Sequence, residues 1–153
     1  YDSVDTLKLL DGIVDIYMPD MKYSDARTAE ELSDIRDYPE FNRAAVKEMH
    51  RQVGDLDVDG RGIARRGLLV RHLVLPQGLA GTEGVARFLA QEVSTNTYLN
   101  VMAQYRPCYK AYQRPSLSHA LTRQEYDEAV SIAHRHGLRR LDSREARTLA
   151  IFF

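Results

Sequence analysis

The chain has 153 residues, 44% of them hydrophobic and 28% charged, with a formal net charge of −1. That length suits one domain around a single core, and the composition is that of an ordinary soluble globular protein. The near-neutral charge gives no global field that would draw in nucleic acid or an acidic membrane surface, and no apolar run approaches the ~20 residues of a membrane span.

No signal peptide is recognisable, and Cys108, the single cysteine, precludes an internal disulfide, so the cytoplasm is the expected compartment. The chain starts at Tyr1 rather than Met, on what reads as the end of a helix, which suggests a fragment of a longer protein.

Val4 to Leu10 reads as that helix end, with Gly12 as its stop. Ile13 to Met18 follows as a strand ended by Pro19, and Asp20-Met21-Lys22 forms a loop at its end. Asp25 to Ile35 reads as a short helix. Pro39 to Val53 reads as a longer one, with proline in the first turn and Phe41, Ala45, Met49 and Val53 as its apolar stripe. Leu56 to Ala64 suggests a hairpin turning at Asp59-Gly60.

Leu68 to Leu75 is the central stretch. It is apolar almost throughout and stopped by Pro76, the pattern of a strand buried on both faces of a parallel sheet. Thr82 is the candidate N-cap of a helix through Val93, and Tyr98 to Gln104 reads as a third strand. Tyr105 to Leu121 is a long connection without periodicity, a type that often carries function. Thr122 and Glu125 form a capping box opening a helix with Tyr126, Ala129, Val130 and Ala133 inward. Gly137 ends that helix, and Leu138 to Leu141 suggests a last short strand.

Strand, helices, strand, helix, strand, helix is repeated βα crossover, hence an α/β fold with parallel strands, three or four such units making half of a barrel. In such folds chemistry gathers at the carboxyl ends of the strands. Asp20 and Lys22 follow the first strand, Gln104, Tyr105 and Arg106 end the third, and Arg71 interrupts the second. Asp20 and Lys22 project to the same side of an extended backbone. They suit an amino-acid ligand, with Lys22 on its carboxylate and Asp20 on its ammonium or a cation, or equally a solvated loop pair.

Arg71 shares strand parity with Leu69 and Leu73, and His72 with Val70 and Val74, so one faces a barrel interior and the other a helix layer. Arg71 is the anion ligand by its planar fork, with an internal carboxylate as the rival partner. His72 reads as a satisfied structural histidine.

Other patterns carry less. Asp55, Asp57 and Asp59-Gly60 imitate half of a calcium loop, but the twelfth position is Arg66 where a bidentate glutamate is needed. Tyr105, Arg106, Tyr109, Lys110, Tyr112 and Arg114 interleave aromatics with cations, as single-stranded nucleic-acid binders do. In a near-neutral chain a loop packed over a barrel mouth fits better. No metal-ligand spacing surrounds Cys108, His134 and His136 cannot share a helix face, and no glycine-rich phosphate loop is present.

Ile13 to Lys22, Glu48 to Gly54, Arg71 to Pro76, Leu75 to Glu83 and Asn100 to Pro107 together resemble the second half of radical SAM proteins. The likeness is to homologues of pyruvate formate-lyase activating enzyme and covers residues 1–142, leaving 143–153 as a C-terminal tail. The resemblance implies the C-terminal half of a partial, TIM-like (β/α)6 barrel. It implies S-adenosylmethionine across the strand ends, held by Asp20, Lys22 and Arg71, with Asp20 also a candidate monovalent-cation ligand. Gln104, Tyr105 and Arg106 would face the substrate, although Arg106 stands where activating enzymes often carry histidine.

The implied activity is reductive cleavage of S-adenosylmethionine to a 5′-deoxyadenosyl radical for hydrogen abstraction. The implied partners are a glycyl radical enzyme or other protein substrate, and an electron donor such as flavodoxin or ferredoxin. The family's Cys-x3-Cys-x2-Cys motif is absent, so the [4Fe–4S] cluster would belong to a missing N-terminal half and the chain alone would be inactive. Two other expectations stand beside this one. One is a non-catalytic half-barrel that binds a partner or dimerises through its sheet edge. The other is a Schiff-base aldolase with Lys22 as nucleophile.

Overall fold

The computed structural model describes residues 2–142, and the expected tail at 143–153 lies outside them. Along the chain run α1 (Val4–Lys8), β1 (Ile16–Tyr17), α2 (Ala26–Ser33), α3 (Tyr38–Val53), β2 (Asp57–Val58), β3 (Ala64–Leu73), α4 (Thr82–Phe88), β4 (Tyr98–Met102) and α5 (Arg123–Arg135).

The helices form where the sequence places caps. The Asp25 carboxylate accepts from the amides of Arg27 and Thr28 and opens α2. Thr122 and Glu125 complete a reciprocal capping box at α5. Pro39 occupies the first turn of α3. α4 begins at Thr82 itself, with Gly81 rather than Thr82 as its cap, and widens into a π-helical turn over Leu89–Val93.

β3 is the hub of a four-stranded mixed sheet. Along one edge it pairs in parallel with β1, in the register Ile16 with Gly67 and Tyr17 with Leu68. The opposite edge is shared. Its first residues pair antiparallel with β2, and Leu69 to Leu73 pair in parallel with Tyr98 to Met102 of β4. Beyond β4, Leu141 makes a single parallel bridge to Leu99, a trace of the expected last strand.

The expectation of an α/β chain with parallel strands and crossover helices holds, but the sheet does not close into a barrel. The physical reason is strand supply. A closed parallel barrel of this type needs about eight strands, whereas here the outer edge of β1 has no strand neighbour among the described residues, and β2 runs antiparallel.

Two further expectations change. The strand over Ile13 to Met18 shrinks to two residues, because the amides of Ile13 and Val14 bond back to Leu10 O and prolong the α1 turn. Phe41 is 43% exposed, and α3 instead buries Pro39, Ala45, Val46, Met49, Gln52 and Val53.

One face of the sheet is covered. Leu68, Val70 and His72 of β3, with Leu99 and Val101 of β4, are buried behind α3, α4 and α5. Each such aliphatic side chain contributes about 1.5–3 kcal/mol of burial free energy as an upper figure. The other face carries Leu69, Arg71 and Leu73 of β3 and Tyr98 and Asn100 of β4, all partly open, with Ile16 and Met18 exposed beside them. The candidate site lies on that open face.

Candidate functional site

Three sequence-predicted residues meet here. Asp20 and Lys22 follow β1, Arg71 is the third residue from the end of β3, and a backbone bridge joins Asp20 to Arg71. The Arg71 amide donates to Pro19 O at 2.9 Å, and the Met21 amide donates to Arg71 O at 2.8 Å. β1 pairing therefore runs past the strand and fixes Asp20 beside Arg71.

The Arg71 Nε–H donates to Asp20 Oδ1 at 2.6 Å. The side chains are 36% and 30% exposed, so the guanidinium is neither fully buried nor unpaired. The internal carboxylate is thus its partner in this structure. That bond uses Nε and leaves both terminal nitrogens of the planar fork for another acceptor.

The first turns of α3 lock the same loop from the other side. Tyr38 and Asn42, one helical turn apart, both donate to Asp20 O, at 3.1 and 2.9 Å. The Tyr38 oxygen accepts from the Lys22 amide at 2.9 Å. Burial pushes the Tyr38 phenol up, with the Asp20 charge adding to it and the Lys22 bond opposing, so the phenol stays protonated and able to donate.

The result is a hollow of about 320 Å3 lined by Met18, Asp20, Lys22, Tyr38, Asn42 and Arg71. Asp2 also lines it, so two carboxylates and two cations share one small space. Lys22 is exposed.

The sequence reading passes over Tyr38, Asn42 and Asn100. Two buried side-chain acceptors among the described residues have no partner, Asn42 Oδ1 and Asn100 Oδ1. They flank the charged pair: Asn42 already donates to Asp20, and Asn100 is the register partner of Arg71 on β4. Unsatisfied buried acceptors are uncommon, and a bound water, an ion or a ligand donor satisfies such an atom. A signal for Asn100 was present, a lone polar residue in the run Tyr98 to Met102, the same kind of signal that marks Arg71.

Gln104, Tyr105 and Arg106 do not line the hollow. The Tyr105 hydroxyl donates to Leu117 O at 2.7 Å, Arg106 folds back onto Tyr105 O at 2.9 Å, and Gln104 turns its amide toward the Met102 sulfur at 3.6 Å. Instead they begin a strap from β4 to α2, where Arg114 pairs with the Glu31 carboxylate. The strap contains two short 3-10 turns, over Tyr109–Gln113 and Pro115–Leu117.

The calcium-like aspartates do not converge. Asp55 accepts from Ser94 and Asn96 and bonds to His50, whereas Asp59 closes the β2–β3 turn and pairs with Arg65. Among the described residues no group of three or more His, Cys, Asp or Glu side chains is placed to hold a metal ion, and Cys108 is exposed. No helix among them is long and apolar enough to cross a membrane.

A mixed α/β sheet with a charged hollow where its parallel strands β1 and β3 end is the class that fold and site define. No family model matches the chain. MJ0674, an uncharacterized protein of Methanocaldococcus jannaschii, is 32% identical to it over 139 residues, 90% of this chain and 37% of that protein. The chain therefore spans well under half the length of the curated relative it matches. No solved structure matches.

Proposed function

We propose that the chain is the C-terminal part of a radical SAM protein of the glycyl-radical-enzyme activase type, and that its hollow binds the amino-acid end of S-adenosylmethionine. The observation that carries this reading is the meeting of Lys22, Arg71 and Asp20 around one small hollow, with two unsatisfied amide acceptors beside them. Lys22 and the free nitrogens of Arg71 take the ligand carboxylate. Asp20 takes the ammonium, with Asn42 beside it in the lining of the hollow.

The ligand's own contribution, together with a reduced cluster, is a carbon-centred radical for hydrogen abstraction. The residues described here do not fit an iron–sulfur cluster, which needs several thiolates where this chain offers Cys108 alone. Cluster, electron donor and protein substrate therefore belong, on this reading, to a larger assembly, and this part binds and orients. The half-barrel architecture is part of the same proposal, supported by the β1–β3–β4 parallel order and the open inner face.

Calorimetric titration of the 153-residue chain with S-adenosylmethionine tests it. Lys22→Ala and Arg71→Ala are each expected to weaken binding by about tenfold, the loss of one charge-assisted contact. Binding that ignores both substitutions, or no binding at all, refutes the reading.

The aldolase alternative fits poorly. A Schiff-base lysine needs to be desolvated beside another cation, whereas Lys22 is exposed and the carboxylates of Asp2 and Asp20 offset the Arg71 charge in the same hollow. The non-catalytic alternative draws on the exposed Ile16 and Met18 along the open β1 edge. Sedimentation separates it, a dimer being its expected result.

A further inference from the structure

His72 points away from the hollow, yet it bonds to the middle residue of the Asp20–Lys22 loop. It is fully buried in the helix-covered face of β3, one residue from Arg71. Its Nδ1 lies 2.7 Å from Met21 O, the carbonyl between Asp20 and Lys22. Its Nε2 lies 3.0 Å from Thr82 Oγ1 at the start of α4, and Thr82 is itself buried.

The chemistry of the partners settles the proton. A carbonyl oxygen accepts and cannot donate, so Nδ1 carries the hydrogen. In the neutral imidazole Nε2 is then an acceptor, and the Thr82 hydroxyl, which can rotate, donates to it. Burial holds the imidazole pKa below its ordinary value, with the Met21 bond opposing, so the ring stays neutral and this tautomer persists. The Met21 side chain is also buried, at 1% exposure, so the loop residue between the two charges is gripped through both its carbonyl and its side chain.

We propose that His72 is the positioning residue of the site. With its proton placed by the Met21 carbonyl and its ring anchored by the Thr82 hydroxyl, it holds the Met21 carbonyl so that Asp20 meets Arg71 and Lys22 faces the same hollow. The proposal rests on the reading of that hollow as a ligand site. It adds a residue that touches neither ligand nor charge, and the hydroxyl of Thr82 bonded behind it. Close packing supports the arrangement: the Ser24 amide donates to Ala80 O at 3.2 Å, and an added Cβ at Gly81 or Gly84 would fall 2.0 or 2.6 Å from Ser24 Oγ. The loop after β1 and the start of α4 are thus pressed together with His72 between them.

The test compares His72→Asn, which keeps a donor near the Nδ1 position, with His72→Gln, which does not, and with Thr82→Val, which leaves the imidazole in place. Two readouts are taken on the full chain: S-adenosylmethionine affinity, and the 15N-resolved Arg71 Nε–H resonance, which reports the bond to Asp20 without any ligand. His72→Gln and Thr82→Val are expected to move that resonance and to weaken affinity about tenfold. His72→Asn is expected to leave the resonance in place and to keep affinity within about threefold.

Should His72→Gln not fold, Thr82→Val decides by the same readouts. An unmoved Arg71 resonance in both of these variants overturns the proposal, as does His72→Asn failing by the same margin as His72→Gln, which would make the imidazole a packing element. If the unsubstituted chain does not bind S-adenosylmethionine, the ligand reading falls, and the resonance comparison still decides the positioning role.

Discussion

Gly67 offers the sharpest test of how the sheet is built. It lies inside β3 with φ of +118°, and its amide donates to Asp15 O at 2.8 Å where β1 pairing begins. A Cβ there would stand 2.4 Å from Asp55 O and 2.5 Å from Leu56 Cα. Both are backbone atoms, and that backbone is pinned by the bond from the Leu68 amide to Gly54 O at 2.9 Å. No flexible side chain can swing aside.

For Gly67→Ala, the left-handed conformation costs roughly 1–3 kcal/mol and the overpacking about another 1–3 kcal/mol. The midpoint is about 4 kcal/mol, a large share of the roughly 5–15 kcal/mol of a whole domain. At about 2–4 °C per kcal/mol for a chain of this size, the midpoint of thermal unfolding falls by roughly 8–16 °C.

Two controls separate the causes. Gly12 has φ of +77° and open space around it, so Gly12→Ala should cost only the dihedral part, about 1–3 kcal/mol. Gly60 has neither feature, and Gly60→Ala should stay within about 0.5 kcal/mol. Urea unfolding followed by circular dichroism serves, since the chain has no tryptophan. A Gly67→Ala cost no larger than that of Gly12→Ala would refute the close crossing of β3 over Asp55.

Asp55 carries an expected pH dependence. Burial pushes its carboxyl up, but the bonds from His50, Ser94 and Asn96 outweigh this and hold it below the usual range. Its folded value thus lies under the unfolded value of about 3.9, so its stabilisation is complete above that pH and is lost as pH falls through the folded value. Asp55→Ala should cost roughly 2 kcal/mol at neutral pH, with the gap from the unsubstituted chain narrowing below about pH 4; a gap that is constant from pH 7 to the acid limb argues against the bonded carboxylate. Arg114→Ala should speed amide exchange across residues 106–114 while changing global stability by less than about 0.5 kcal/mol, because the pair with Glu31 is exposed. Unchanged exchange would remove the strap from the account.

Legibility in the sequence followed how local each signal was. The capping box of α5 and the apolar run of β3 were readable because neighbours in sequence dictate them. β1 was overdrawn because its first residues look strand-like by type, yet their amides are already taken by Leu10 O. The parity of Arg71 against His72 was readable, since alternation alone puts them on opposite faces. Which anion Arg71 meets was not, because it depends on the β1–β3 register, and no local pattern states a register. Tyr38 and Asn42 were hidden for a related reason: their spacing marks a helix face, but nothing in α3 says that this face meets the loop after β1.

The parallel pairing at the heart of the site has a kinetic consequence. Asp20 and Arg71 are 51 residues apart. Closing a loop of that length costs about 3.5 kcal/mol of chain entropy beyond a constant term. The β2–β3 hairpin, whose pairs Val58–Ala64 and Asp57–Arg66 are close in sequence, costs only about half of this by the same relation and can form early, whereas the charged hollow exists only after the long loop has shut. A small molecule that touches Lys22 on one segment and Arg71 on the other therefore acts as a reversible staple across that closure. Its binding energy is felt as resistance of the whole sheet to opening, by mass action on the folded chain.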